Sequence, residues 1–134
     1  MSDVTSTTTI TNLGVAMFTV SDQDAALAFY TGKLGFEVRA DVSFGPDGAM
    51  RWLEVAPPGS TARLALNPPM QSQPGGGSIG VETSDLDAEH ARLKGLDGVD
   101  VDDEVMGGDP SAPRMFSVRD PDGNGVWVVE VPAA

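Results

Sequence analysis

The 134-residue chain contains no cysteine. Disulfides, thiolate metal sites and cysteine nucleophiles are therefore excluded. Basic residues are also scarce. Lys and Arg total 8 against 20 Asp and Glu, a formal net charge of −12. Phosphate backbones are bound through Lys and Arg, so nucleic acid is not an expected partner, and neither is an anionic membrane surface. Long apolar runs are missing as well. The first residues are rich in Ser and Thr, with no basic stretch leading into an apolar core. No signal peptide and no transmembrane span are expected, and the expected location is the cytoplasm. What the chain does have is 40% hydrophobic residues, enough for a core, and 16 Gly with 10 Pro, which predict frequent turns. Its length predicts one domain, residues 1–134.

An internal repeat organises the chain. Ser21-Asp22-Gln23-Asp24-Ala25 returns as Ser84-Asp85-Leu86-Asp87-Ala88, an offset of 63 residues. The same offset carries Gly35-Phe36-Glu37-Val38 onto Gly98-Val99-Asp100-Val101, and Arg51 and Val55 onto Arg114 and Val118. Three ungapped matches at one offset predict two copies of one unit, residues 12–68 and 77–132, with a Pro- and Gly-rich linker at 69–76.

Both copies follow one pattern. A short apolar run (residues 15–20 and 79–83) leads into Ser-Asp-x-Asp, where Ser21 or Asp22, and Ser84 or Asp85, predict a helix N-cap. Ala26, Phe29, Tyr30, Lys33 and Leu34 form a helical stripe in the first copy. Strands are expected at 37–43, 50–56 and 63–66, then at 99–105, 114–119 and 126–131. Each unit is thus βαβββ. Asp120-Pro121-Asp122-Gly123 is expected as a turn, and the acidic run 100–104 as a solvated edge strand or loop. Phe44 is expected to be exposed in a hairpin loop. Arg51 and Arg114 are expected to pair with nearby acids, and His90 to be a partly buried helix residue alongside Leu86 and Leu93.

With Ala26-Leu27-Ala28-Phe29-Tyr30, Leu34-Gly35-Phe36, Arg51-Trp52 and Phe116-Ser117-Val118-Arg119-Asp120-Pro121-Asp122-Gly123-Asn124, the chain resembles the vicinal oxygen chelate superfamily. That group contains glyoxalase, extradiol dioxygenase and bleomycin-resistance proteins. The resemblance implies an α+β fold in which two tandem βαβββ units form a curved, cup-shaped mixed sheet. It also implies a homodimer. Enzymatic members of such a family hold a divalent metal with His, Glu or Gln from the first and last strand of each unit. Carried over, those positions fall on Val15, Ser78, Trp127, and either Ala65 or Arg63. None of these side chains is a competent ligand. The resemblance therefore implies no metal and no cofactor here, and no catalytic residue is identified.

The resemblance implies which strand positions face the cup, with Trp52, Glu54, Met115 and Ser117 inward on the third strand of each unit, and alternation extends the set from Val15, Ser78 and Trp127. Val15 and Met17 are expected from one strand, Ser78 and Glu82 from another. Trp52 and Glu54, Met115 and Ser117, and Trp127 complete the lining. Such an apolar hollow with few polar groups suits a small molecule. The expected function is metal-independent binding of an aromatic or cationic compound, through indole stacking and carboxylate pairing. The alternative is a metal-dependent lyase, isomerase or dioxygenase with an atypical site drawing ligands from Glu54, Glu82 or His90.

Overall fold

The computed structural model describes residues 7–70, 72–109 and 112–132. Within them the first unit runs β1 (Val15–Thr19), α1 (Gln23–Gly32), β2 (Glu37–Phe44), β3 (Met50–Ala56) and β4 (Arg63–Asn67). The second runs β5 (Ser78–Thr83), α2 (Leu86–Lys94), β6 (Asp100–Val101), β7 (Met115–Arg119) and β8 (Gly125–Glu130). The fold is α+β with tandem βαβββ units, as the repeat predicts. Its strands form two four-stranded sheets, ordered β1-β4-β3-β2 and β5-β8-β7-β6. Each sheet is mixed: β1 runs parallel to β4, and β5 to β8, while the other pairs are antiparallel.

Both helices start for the same local reason. Asp22 accepts a hydrogen bond from the Ala25 N–H at 3.0 Å, and Asp85 from the Ala88 N–H at 3.2 Å. Each carboxylate satisfies a donor that the first helical turn leaves free and sits at the positive end of the helix dipole. A repeat-related ion pair then ties each helix start to its sheet. Arg51 reaches Asp24 at 2.7 Å, and Arg114 reaches Asp87 at 2.7 Å. Arg51 also holds Asp41, and Arg114 holds Glu130.

Period-two alternation sends one face of each sheet into the core. Phe18, Leu53, Val55, Leu64 and Leu66 bury against Ala26, Phe29 and Tyr30 of α1. Phe116, Val118, Val126 and Val128 do the same with Leu86 and Leu93 of α2, and the two sets form one cluster. Each such large apolar side chain contributes about 1.5–3 kcal/mol on burial. The opposite face of each sheet is left over for function.

Two expectations need correction. The strand expected over 99–105 shrinks to Asp100–Val101, with one further bridge from Met106 to Met115. The acidic run is also not wholly solvated. Asp102 is half-buried, pairs with Arg119 at 2.7 Å and accepts the Ser117 N–H at 2.8 Å. A carboxylate that satisfies a backbone donor there ends the ladder early. No described helix is long and apolar enough to cross a membrane.

Candidate functional site

Cross-strand partners point to the same side of a sheet, so the pairing registers define the free faces. In the first sheet Val15 lies beside Arg63, and Met17 beside Ala65. Ala65 in turn faces Glu54, and Trp52 faces Val42 on β2. The free face therefore carries Val15, Met17, Trp52, Glu54 and Arg63, with Val42 and Phe44 toward its far edge. Met17 is 58% exposed, Val42 54% and Phe44 47%. So much exposed apolar area on one face marks an interaction surface.

In the second sheet Ser78 and Glu82 share a face with Trp127, through Gly80 and Val129 on the paired strands. Ser117 lies opposite Trp127, and Met115 opposite Val129. Trp127 and Met115 are half-buried, Ser78 and Glu82 are exposed, and Ser117 is buried. Gly80, directly beside Trp127, has nothing within 4 Å of where a Cβ would stand. One flank of the indole is thus left clear. All nine expected lining residues fall on the free faces: Val15, Met17, Trp52 and Glu54 on one sheet, and the other five on the second.

A hollow of about 750 Å³ opens between the starts of β1 and β4 and the strand β5. Leu13, Phe36, the 57–62 loop, Arg63, Gly80 and Glu82 line it, together with Val15 and Val81. A volume of this size accommodates a drug-sized ligand. Of the nine expected residues, Val15 and Glu82 reach it. Alternation could not identify Leu13, Phe36 or the loop, because a loop's path has no period to read. A smaller space of about 190 Å³ adjoins it, lined by Leu34, Glu82, Glu89 and Leu93 among others.

The polar centre of the first face is a chain of three side chains. Trp52 Nε1 donates to Glu54 Oε2 at 3.0 Å, and Arg63 Nε stands 3.0 Å from Glu54 Oε1. Glu54 is buried, so its charge needs these partners. Both its oxygens are occupied. That corrects the expectation that Glu54 is available to a cationic ligand; Glu82 remains as the free carboxylate of the pair.

His90 is also engaged elsewhere. Its Nε2 lies 2.7 Å from the Asp102 carbonyl oxygen, and its ring packs edge-on against Phe116 with centroids 4.8 Å apart. It serves the α2–β7 packing. The strand pairing also resolves the alternative between Ala65 and Arg63. Ala65 pairs with Met17 as Trp127 pairs with Gly80, two residues into each first strand, whereas the counterpart of Arg63 is Gly125. The metal positions implied by the resemblance are then Val15, Ala65, Ser78 and Trp127. Three of these offer no lone pair, and the fourth is a neutral hydroxyl. They do not fit a divalent ion. Among the described residues no three His, Cys, Asp or Glu side chains come together to hold one.

The profile of the Glyoxalase/Bleomycin resistance protein/Dioxygenase superfamily matches residues 12–128. The chain belongs to this superfamily. A superfamily member from Sphaerobacter thermophilus has a crystal structure that superimposes with a TM-score of 0.80 at 34% identity, covering 91% of this chain and 98% of that one. TnmS3, an antibiotic binding protein from Streptomyces sp. CB03234, superimposes with a TM-score of 0.77 at 33% identity, covering 94% and 99%. The Bacillus subtilis protein YetH is 35% identical over 88 residues, 63% of this chain and 72% of its own length. The superfamily holds both enzymes and binding proteins, so function here rests on the site.

Proposed function

We propose that this superfamily member binds a small molecule without a metal, holding it on the free faces of its sheets and in the hollow between β1 and β5. The carrying observation is the free face of the first sheet. It offers Trp52, Met17, Val15 and Phe44 to a ligand, and its one buried carboxylate is already ion-paired with Arg63 and hydrogen-bonded by Trp52. Such a surface supplies apolar burial and aromatic stacking. It supplies no group placed to move a proton. The likeness to TnmS3, named as an antibiotic binding protein, supports the same reading.

The ligand these faces suit is flat and aromatic, with Trp52 offered for stacking on the first sheet and Trp127 on the second. A homodimer belongs to this reading, because exposed apolar side chains of the edge strand β2, such as Val38 and Val42, are the kind of surface a second copy covers. Titration with N-phenyl-1-naphthylamine, an uncharged aromatic dye, tests the proposal. Saturable dye fluorescence with quenching of the tryptophans is expected, and Trp52→Ala and Trp127→Ala should each weaken it. Dye affinity unchanged in both variants would argue against the assigned faces.

A further inference from the structure

All eight basic residues of the chain lie among the described residues, and seven of them are hydrogen-bonded. Arg39, Arg51, Arg92, Arg114 and Arg119 each donate to a carboxylate. Lys94 donates to Asp103, and Lys33 to the Asp97 carbonyl. Arg63 is the exception. Its Nε is buried and makes no hydrogen bond, although Glu54 Oε1 is 3.0 Å away. The carboxylate holds it by charge, without an aligned N–H. Neither of its η-nitrogens has a partner among the described residues, and the side chain is 40% exposed. It lies on the same face as Trp52 and Glu54 and lines the 750 Å³ hollow.

We propose that Arg63 is the anchor for an anionic oxygen group (carboxylate, sulfonate or phenolate) carried by an aromatic ligand on this face. The assignment rests on the binding function proposed above and names the ligand's charge. A guanidinium presents a planar fork of donors that matches such oxygens and keeps its charge at any working pH. Glu54 is screened from the ligand because Trp52 takes its second oxygen. Of the other basic residues, six are paired with carboxylates and Lys33 lies away from the hollow, and a net charge of −12 repels anions from the rest of the surface. Arg63 is the basic residue that lines the hollow, and its η-nitrogens are left to an anionic oxygen there.

Two fluorescent dyes sharing one aromatic skeleton test this: the sulfonate 8-anilino-1-naphthalenesulfonate and the uncharged N-phenyl-1-naphthylamine. Arg63→Met should weaken the sulfonate dye about tenfold, the scale of one charge-assisted hydrogen-bonding site, and change the uncharged dye less than about twofold. That variant leaves Glu54 buried without its counter-charge, so the double variant Glu54→Gln with Arg63→Met is measured beside it, with the same differential loss expected. Equal changes for both dyes in both variants, or none, overturn the Arg63 assignment while the binding face stands. Failure of both dyes to bind the unaltered protein overturns the binding function and the assignment together.

Discussion

The Tyr30 hydroxyl donates to Asp120 Oδ2 at 2.9 Å, a bond that joins α1 to the turn before β8 across 90 residues of chain. Asp120 is buried and also accepts from the Asn124 side chain at 3.0 Å. Its other oxygen takes the N–H groups of Asp122 and Asn124, both at 2.9 Å. Asn124 passes the link on, donating to the Thr19 carbonyl and accepting from the Gly77 N–H. The Asp-Pro-Asp-Gly segment is thus more than a turn. It is the polar staple between the two units, and it holds their free faces in a fixed relation.

Tyr30→Phe removes one donor from that staple and leaves Asp120 with three. A hydrogen bond to a buried charge contributes about 1.5–3 kcal/mol, so the variant should lose about 2 kcal/mol. Burial, reinforced by the Asp120 charge, pushes the Tyr30 hydroxyl far above the usual tyrosine range, so it donates at every working pH. Urea denaturation reads the effect as a lower midpoint with an unchanged slope. An unchanged midpoint would mean that the staple carries no load.

Gly77 and Gly80 should respond oppositely to alanine. A Cβ at Gly77 would stand 2.6 Å from Phe18 Cδ1 and 3.1 Å from Asn124 Oδ1. Overpacking of this kind costs about 1–3 kcal/mol. At Gly80 the space is open, and Gly80→Ala should leave the thermal midpoint within about 1 °C, because surface changes are close to neutral. The same variant narrows the space beside Trp127, so dye binding is the property it should weaken.

Acid should destabilise the protein through its ion pairs. Hydrogen bonds from Arg51, Arg114, Arg119 and Lys94 hold Asp41, Asp87, Asp100 and Asp103 below the usual carboxylate range. A carboxyl group with a lowered folded-state pKa contributes stability above its unfolded value, and that contribution disappears as pH falls through the folded value. The thermal midpoint should therefore hold from neutral pH to about 5 and fall below about pH 4. All four groups are exposed, so the fall should be modest and should shrink in high salt. A midpoint that instead falls steadily between pH 7 and 5 would point to other groups.

Much of the scaffold was readable from residue order. Asp22 and Asp85 announce their helices because a cap is a local device, and the repeat at Arg51 and Arg114 carried over to matched ion pairs with Asp24 and Asp87. Strand alternation sets Val15 and Met17 on the face opposite Phe18 and Val20, which are buried. The site was less legible. Glu54 reads as a free carboxylate until the β3–β4 register sets Ala65 beside it and brings Arg63 to its oxygen. That register depends on the path of the 57–62 loop, which no periodicity encodes. Asp102 reads as solvent-facing for the same reason. Its partners, Arg119 and the Ser117 N–H, arrive from a strand that lies beyond the 107–113 segment.

In the proposed function apolar and aromatic side chains hold the ligand without a metal. N-phenyl-1-naphthylamine binding measured after exhaustive dialysis against a chelator, with and without added Mn²⁺, Fe²⁺, Ni²⁺ or Zn²⁺, tests it most directly. The dissociation constant should agree within about twofold in every condition, since stripping a metal cannot disturb apolar burial on preformed strands. Binding that vanishes with the chelator and returns with one of these ions would contradict the account.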